Sequence, residues 1–204
     1  MDKMLQVSSS PHIRSEATTQ RIMLDVLIAL FPAAFAGIYF FGLNAALLIA
    51  VTVLSSVAFE YLMRKVLKRS NTISDLSAAV TGLLLALNLP PDLPVWMAIV
   101  GSLFAIVIVK QLFGGLGQNF VNPALAARAF LLVSYGTKMT TWTQPLASEV
   151  DVVSYATPLG ILKEGGELPG LLNMFLGRIG GSLGETSALA LIIGGVYLLV
   201  RGVI

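Results

Sequence analysis

The chain has no cysteine, a single histidine and unusually little charge. Without cysteine thiolates it cannot itself hold an iron–sulfur cluster or form a disulfide. His12 lies in the polar N-terminal segment, so the chain has no set of histidines with which to build a metal site. Charged residues make up 12% of the 204 residues, whereas a soluble domain carries about 25%. These absences argue against both an ordinary water-soluble domain and a redox protein built on its own thiolates.

Hydrophobic residues, in contrast, make up 56% of the chain and gather in six apolar runs. A helix needs about 20 apolar residues to cross a hydrocarbon core of about 30 Å, and shorter runs suit broken helices covered by protein. The runs occupy residues 23–41, 45–63, 76–89, 95–113, 124–133 and 187–200. We therefore predict an all-α integral membrane protein with about six transmembrane helices, some of them short or broken.

Basic residues predict the orientation of these helices. The densest cluster follows the second run and contains Arg64, Lys65, Lys68 and Arg69. Loops rich in lysine and arginine stay in the cytoplasm, which places this cluster and the tail 1–22 on the cytoplasmic side. The tail has no short apolar core with a cleavage site, so we predict no signal peptide. The polar interval 135–186 then lies outside the cytoplasm, and 187–204 forms the last membrane helix.

Glycine and proline interrupt the membrane region 23–134. Pro90-Pro91 should end the third helix, and Thr72 or Ser74 should cap its start. A glycine-rich break at 114–123 precedes the fifth run, where Asn122 and Pro123 predict an N-cap and a first helical position. Two interpretations stay open: a broken helix that lines a binding site, or an ordinary fifth helix with a helix breaker in the loop before it.

Five ionisable residues fall within the apolar runs or beside them. Asp25, Glu60, Asp75 and Lys110 lie near the predicted cytoplasmic helix ends, where long side chains can reach the interface at little cost. We expect a structural role for these four, with a role in an ion path as the alternative. Arg128 is deeper, and it could balance a flavin or phosphate charge or bind backbone carbonyls.

Thr157 is the candidate for covalent chemistry. Pro158 disfavours the right-handed helical region at the preceding residue, so Thr157 should be extended or in a turn. Its hydroxyl could then be reached by a modifying enzyme and form a phosphoester, and Ala156 adds little steric bulk. An ordinary polar turn would have a similar sequence, so these residues alone leave both interpretations open.

Several spaced motifs resemble one protein family. They cover essentially the whole chain and are Ser10-Pro11-His12, Asn88-Leu89-Pro90-Pro91, Pro94-Val95-Trp96, Gly114-Gly115-Leu116-Gly117-Gln118-Asn119, Asn122-Pro123-Ala124, Ala156-Thr157-Pro158-Leu159 and Gly184-Glu185-Thr186-Ser187. In order and spacing they resemble the RnfD family of Rnf complexes, which also includes the NqrB protein of the sodium-translocating NADH:quinone oxidoreductase. Family members continue with a second set of helices, so this chain resembles the N-terminal portion, one half of an internally repeated bundle.

The resemblance implies a membrane subunit of an ion-translocating ferredoxin:NAD+ oxidoreductase, with FMN attached through its phosphate to a threonine. Thr157 is the implied flavin threonine. Asp151, Ser154 and Ala156 match the family's attachment pattern, whereas Val152 and Tyr155 stand where glycine is common. The flavin would relay electrons coupled to Na+ or H+ translocation, and riboflavin is a candidate for a second, unattached flavin.

The resemblance also implies the setting. The expected partners are the other Rnf subunits, a flavin transferase and the lipid bilayer, with no nucleic acid. The expected location is the bacterial inner membrane, with a cytoplasmic N-terminus and an extracytoplasmic flavin loop. Two other function classes stay open: a solute channel or transporter of a repeat-built fold, and a structural membrane anchor.

Overall fold

The computed structural model describes residues 18–146 and 156–204, and within these ranges the chain forms helices and no strand. This confirms the all-α prediction. The helices are α1 (Thr19–Val66), α2 (Ser77–Leu87), α3 (Val95–Leu103), α4 (Pro123–Ser134), α5 (Gly136–Met139), α6 (Pro158–Lys163), α7 (Leu171–Leu176) and α8 (Ala188–Val200). A 3-10 turn (Ile73–Asp75) precedes α2, and a π-helix (Phe104–Gln111) continues directly from α3.

Helix α1 contains the first two predicted runs and is interrupted between them. Gly42 has a φ of 71° and a ψ of −153°, a backbone conformation that glycine adopts without a steric penalty. The helix therefore consists of two halves, 19–41 and 43–66, joined at Gly42. Pro32 lies inside the first half without ending it.

One described helix, α1, is long and apolar enough to cross a membrane by length and composition. Four shorter apolar helices accompany it: Ser77–Leu87, Val95–Gln111, Pro123–Ser134 and Ala188–Val200. Each of them falls on a predicted apolar run. The number of membrane crossings stays a prediction, because helices of this length cross a bilayer only when other segments complete or cover them.

Polarity in the described bundle is distributed as in membrane proteins. Large apolar side chains point outward: Phe31, Phe35 and Leu43 are 67%, 61% and 86% exposed. Polar side chains lie inside, and Thr52 and Glu60 are fully buried. A surface of this kind suits lipid, since the polar groups of a membrane helix face the interior of its bundle. The chain therefore has the character of a membrane protein.

Helix α2 is the buried centre of the bundle, and most of its 11 residues are inaccessible. Gly82 allows the second half of α1 to approach closely, because a Cβ there would lie 2.9 Å from the Cα of Val53. Gly184 lies against Leu87 in the same way, with its absent Cβ 2.7 Å from the leucine Cβ. Small residues at such crossings let backbones pack closely, which is how helices associate in lipid.

The structure tests the predicted N-caps of two helices, and it confirms one of them and corrects the other. Asn122 caps α4, and its side chain accepts hydrogen bonds from the amides of Ala124 and Leu125 at 3.0 and 3.4 Å. The predicted cap of the third helix by Thr72 or Ser74 is wrong. The N-cap residue there is Leu76, and Asp75 accepts from the Ser77 amide at 2.8 Å instead. Thr72 does not cap the helix, because its hydroxyl donates a hydrogen bond to Glu60 instead.

The glycine-rich break at 114–123 lies at the same end of the bundle as the basic cluster. A Cβ on Gly115 would lie 2.8 Å from the Arg64 guanidinium, and Arg69 donates to the backbone oxygen of Gln111 at 3.3 Å. Gly114, Gly115 and Gly117 all have positive φ, which explains why this turn needs glycine. We call this the basic end of the bundle.

Two residues of the polar interval 135–186 form backbone hydrogen bonds away from the basic end. The amide of Leu146 donates to the backbone oxygen of Phe40, next to the break in α1, at 2.8 Å. Leu183 donates to the backbone oxygen of Leu89 at 3.1 Å, after the end of α2. Both partners lie at the opposite end of their helices from the basic cluster. The segments around Leu146 and Leu183 therefore lie near the turns that follow residues 40 and 88.

Candidate functional site

A fully buried ion pair lies near the basic end. The ammonium of Lys110, at the end of the π-helix, donates to Oε2 of Glu60 at 2.6 Å. Both side chains are inaccessible, with exposures of 1% and 0%. Lys110 also donates to Oγ of Ser77, the first residue of α2, at 2.6 Å. One ammonium thus joins the second half of α1, the π-helix and the start of α2.

Two further residues extend this pair into a network that we call the Glu60–Lys110 cluster. Thr72 donates its hydroxyl to Oε1 of Glu60 at 2.7 Å. Ser77 donates its hydroxyl to Oδ1 of Asp75 at 2.6 Å. The hydrogen bonds therefore run from the ammonium through the serine hydroxyl to a second carboxylate. Thr72 and Asp75 are half-buried; Thr72 immediately precedes the 3-10 turn and Asp75 is its last residue.

The cluster continues into the bundle as a row of buried polar groups. Thr52, Ser56 and Glu60 are spaced four residues apart, which places them on one face of α1. Ser102 of α3 donates to the backbone oxygen of Thr52 at 3.2 Å. The hydroxyl of Ser56 is buried and has no partner within the described part of the chain. We call Thr52, Ser56 and Ser102 the polar row.

The expectation that Glu60 and Lys110 reach the interface is wrong. Their distance from the helix ends suggested an accessible position, but the covering turn and α2 exclude both from the surface. An isolated charge could not be held there, because its transfer from water costs several kcal/mol unless it is paired and hydrogen-bonded. The pair meets this condition through Ser77 and Thr72.

Asp25 is also paired, but at the edge of the bundle. Arg201, just after α8, donates to both carboxylate oxygens of Asp25 at 3.1 and 3.3 Å. Tyr197 adds a hydrogen bond from its hydroxyl to Oδ1 at 2.9 Å. Arg201 is 44% exposed, so water screens this pair. Its geometry fits a structural clamp between the first and last described helices.

Arg128 lies on α4 and donates to the side-chain oxygen of Asn88 at 3.0 Å. It is half-buried, and Asn88 is the residue that ends α2. This partner is a side-chain amide oxygen and not a backbone carbonyl, so the two roles predicted for Arg128, balance of a flavin or phosphate charge and binding of backbone carbonyls, both stay predictions.

Thr157 has the backbone that Pro158 predicts. Its φ of −65° and ψ of 155° are extended, and Pro158 begins the short helix α6. The hydroxyl oxygen accepts from the Gly160 amide at 3.2 Å, while Thr157 is half-buried and Ala156 exposed. Thr157 therefore lies outside the regular part of α6, as the prediction of an extended or turn residue requires. Asp151 and Ser154 lie outside the described residues.

Sequence reasoning missed the side chains that bind the ionisable residues of the apolar runs. Ser77, Tyr197 and Arg201 were not singled out as partners, because a serine, a tyrosine or a terminal arginine is common on membrane helices. The four-residue spacing of Thr52, Ser56 and Glu60 was a readable signal for a polar helix face. It predicts the face but not the lysine that meets it.

Residues 6–204 match the NQR2, RnfD, RnfE family. The D-type subunit of the Na(+)-translocating ferredoxin:NAD(+) oxidoreductase complex of Acetobacterium woodii is 55% identical over 98% of this chain and 64% of its own length. The D-type subunit of the proton-translocating ferredoxin:NAD(+) oxidoreductase complex of Clostridium ljungdahlii is 46% identical over 96% and 62%. The D-type subunit of the ion-translocating oxidoreductase complex of Rhodobacter capsulatus is 39% identical over 96% and 63%.

These relatives confirm the resemblance read from the motifs. The chain spans somewhat less than two thirds of the length of each relative, while the match covers nearly all of its own residues. With a family match from residue 6 to 204 and identities of up to 55% among these relatives, the chain belongs to the NQR2, RnfD, RnfE family.

Proposed function

We propose that this chain acts as the RnfD-type membrane subunit of an ion-translocating ferredoxin:NAD+ oxidoreductase and carries FMN as a phosphoester on Thr157. The observation that carries the proposal is the 55% identity to such a subunit across almost the whole chain. The half-buried, extended Thr157 supports the attachment site, because an esterified hydroxyl must lie outside a regular helix. The bound flavin would supply one-electron redox chemistry, while the protein fixes its position.

The arrangement of the bundle supports a two-sided topology. The basic end carries Arg64 and Arg69, which the positive-inside rule assigns to the cytoplasm. Leu146 and Leu183, which lie on either side of Thr157 in the chain, bond the backbone oxygens of Phe40 and Leu89, away from the basic end. We infer that Thr157 faces the extracytoplasmic side of the bacterial inner membrane, where partner subunits of the complex would exchange electrons with its flavin.

Flavin attachment is tested by expressing the full-length protein with its flavin transferase. We expect a band that fluoresces under ultraviolet light on a denaturing gel, and an intact mass raised by one esterified FMN. Thr157→Ala should abolish both signals. Thr141→Ala is the matched control, since Thr141 is an exposed threonine of the same interval that bonds only a backbone oxygen of its own turn. An unmodified wild-type protein would refute the proposal.

The same preparation distinguishes the alternatives. A solute channel would conduct a small solute in vesicles that contain this protein alone, whether or not Thr157 is present. A structural anchor would bind no flavin and tolerate both threonine substitutions. Redox-driven ion uptake by the assembled complex, lost with Thr157→Ala, would exclude both.

A further inference from the structure

We propose that the basic end of the bundle binds the phosphate of one anionic phospholipid, and that the Arg64 guanidinium is the main donor to it. Arg64 lies in the last turn of α1 and is half-buried. Its guanidinium lies against the backbone of the glycine-rich break, since a Cβ on Gly115 would be 2.8 Å from Nη2. Gly115 is itself buried. The arginine side chain is therefore held between two segments of the chain.

This guanidinium has no counter-charge in the described part of the chain. Its Nε is buried and has no hydrogen-bond partner there. The ion pairs formed among the described residues join Glu60 to Lys110 and Asp25 to Arg201, so none of them includes Arg64 or the other three residues of the basic cluster. A partly buried charge is unfavourable unless an opposite charge and hydrogen bonds compensate for its lost hydration. The arrangement therefore favours a bound anion.

The donors at this end suit a phosphate group. A guanidinium presents a planar fork of N–H groups that matches two phosphate oxygens. The amides of Leu116 and Gly117, directly after Gly115, make no backbone hydrogen bond within the described residues. Arg69 adds a second guanidinium beside the break, where it donates to the backbone oxygen of Gln111 at 3.3 Å. Basic pockets between membrane helices on the cytoplasmic side are typical binding sites for anionic headgroups.

Exposed apolar side chains beside these donors favour a lipid as the source of the phosphate. Phe113 immediately precedes the glycine-rich break and Phe120 lies within it, and both are exposed. Their rings meet edge to face, with centroids 4.7 Å apart. Val66, at the end of α1, is exposed as well. Aromatic side chains at helix ends lie at the level of the headgroups. A phospholipid offers a phosphate and acyl chains together, whereas inorganic phosphate has no apolar part.

Lipid binding is tested on the full-length protein, purified in an uncharged detergent and stripped of lipid. Native mass spectrometry follows the bound lipid as dioleoyl phosphatidylglycerol is added, and it gives an apparent dissociation constant. Dioleoyl phosphatidylcholine is the comparison, because its headgroup carries a compensating positive charge. We expect the wild type to bind phosphatidylglycerol at least about tenfold more tightly. Equal binding of the two lipids would overturn the proposal.

Arg64→Gln should weaken the binding of phosphatidylglycerol about tenfold or more, because it removes charge-assisted hydrogen bonds to the phosphate. Lys65→Gln is the matched control, since it removes the same charge from the neighbouring, exposed residue. Its dissociation constant should stay within about threefold of the wild-type value. Equal losses in the two variants would show only a general attraction to surface charge and would contradict the proposed site.

A second pair of variants guards against a misfolded Arg64→Gln. Gly115 and Gly117 both have positive φ, so alanine strains the backbone at either position. A Cβ overlaps the Arg64 guanidinium only at Gly115, whereas it meets open space at Gly117. We therefore expect Gly115→Ala to weaken lipid binding more than Gly117→Ala does. Equal binding by the two alanine variants would count against the site.

Two further results would identify a different ligand. Displacement of phosphatidylglycerol by inorganic phosphate at equal concentration would show that a free anion binds, and it would overturn the assignment to lipid. Unchanged lipid binding by folded Arg64→Gln, together with loss of assembly with the partner subunits, would indicate an acidic segment of a partner instead. The measurement needs no flavin, so its result is independent of the proposed attachment to Thr157.

Discussion

Replacement of Lys110 by methionine should destabilise the protein strongly, because it leaves a charge buried without its partner. Glu60 is 0% exposed, and without the lysine it keeps only the hydrogen bond from Thr72. Removal of one member of a buried pair costs about 3–5 kcal/mol, since the remaining charge is neither solvated nor paired. Methionine has a similar length and adds no cavity, so the loss measures the charge rather than the packing.

The double variant Glu60→Gln, Lys110→Met should recover most of that loss. A buried pair replaced by neutral groups of similar volume is often neutral or even stabilising, so we expect a stability within about 2 kcal/mol of the wild type. Lys138→Met is the matched control, because Lys138 is exposed, and its effect should stay within about 0.5 kcal/mol.

The assay is equilibrium unfolding in mixed detergent micelles, followed by circular dichroism. The free energy of unfolding is compared among the wild type, the two single variants and the double variant, which together give the coupling energy of the pair. A Lys110→Met variant as stable as the wild type would refute the reasoning, since Glu60 would then be hydrated or otherwise paired. Equal losses in the single and double variants would refute it too, because packing alone would explain them.

Three further predictions follow from local contacts. Gly194→Leu should prevent α8 from packing on α1, because a side chain there would overlap the backbone carbonyl of Ala29. Gly195→Leu is the control, since its side chain meets open space, and thermal unfolding in detergent should show a large decrease in melting temperature for Gly194→Leu only. Asn122→Ala should lower the free energy of unfolding by about 1 kcal/mol through loss of the α4 cap, and Asn122→Asp should restore it in the same measurement. Gln111→Leu should leave the melting temperature unchanged or raise it, since its buried side-chain amide finds no partner among the described residues; a clear decrease would reveal a missing partner.

Local sequence signals predicted much of the helical structure. The apolar runs located the helices, and glycine at position 42 marks the boundary between the first two runs. Asn122-Pro123 predicted a helix start, and Pro158 predicted a Thr157 that is extended or in a turn. These features depend on neighbours a few residues away, through steric limits on φ and ψ and through unsatisfied helix amides. The family could be recognised for a related reason, since its motifs are short and ordered along the chain.

The cap of α2 and the π-helix were beyond local reasoning. Thr72 was available as a cap, yet its hydroxyl binds Glu60, twelve residues earlier in the chain. The π-helix has an ordinary apolar sequence with Lys110 near its end. The competing long-range hydrogen bond explains why the local prediction failed at Thr72.

The sequence by itself predicted that the chain is helical and suited to lipid, and that Thr157 lies outside a right-handed helix. Only the tertiary structure decided that Lys110 meets Glu60 fifty residues away and Ser77 thirty-three residues away. Helical periodicity fixes which residues share a face, but which faces meet depends on how whole helices pack. A buried charge is stable only where that packing supplies its partner, so the ion pair is a property of the assembled bundle.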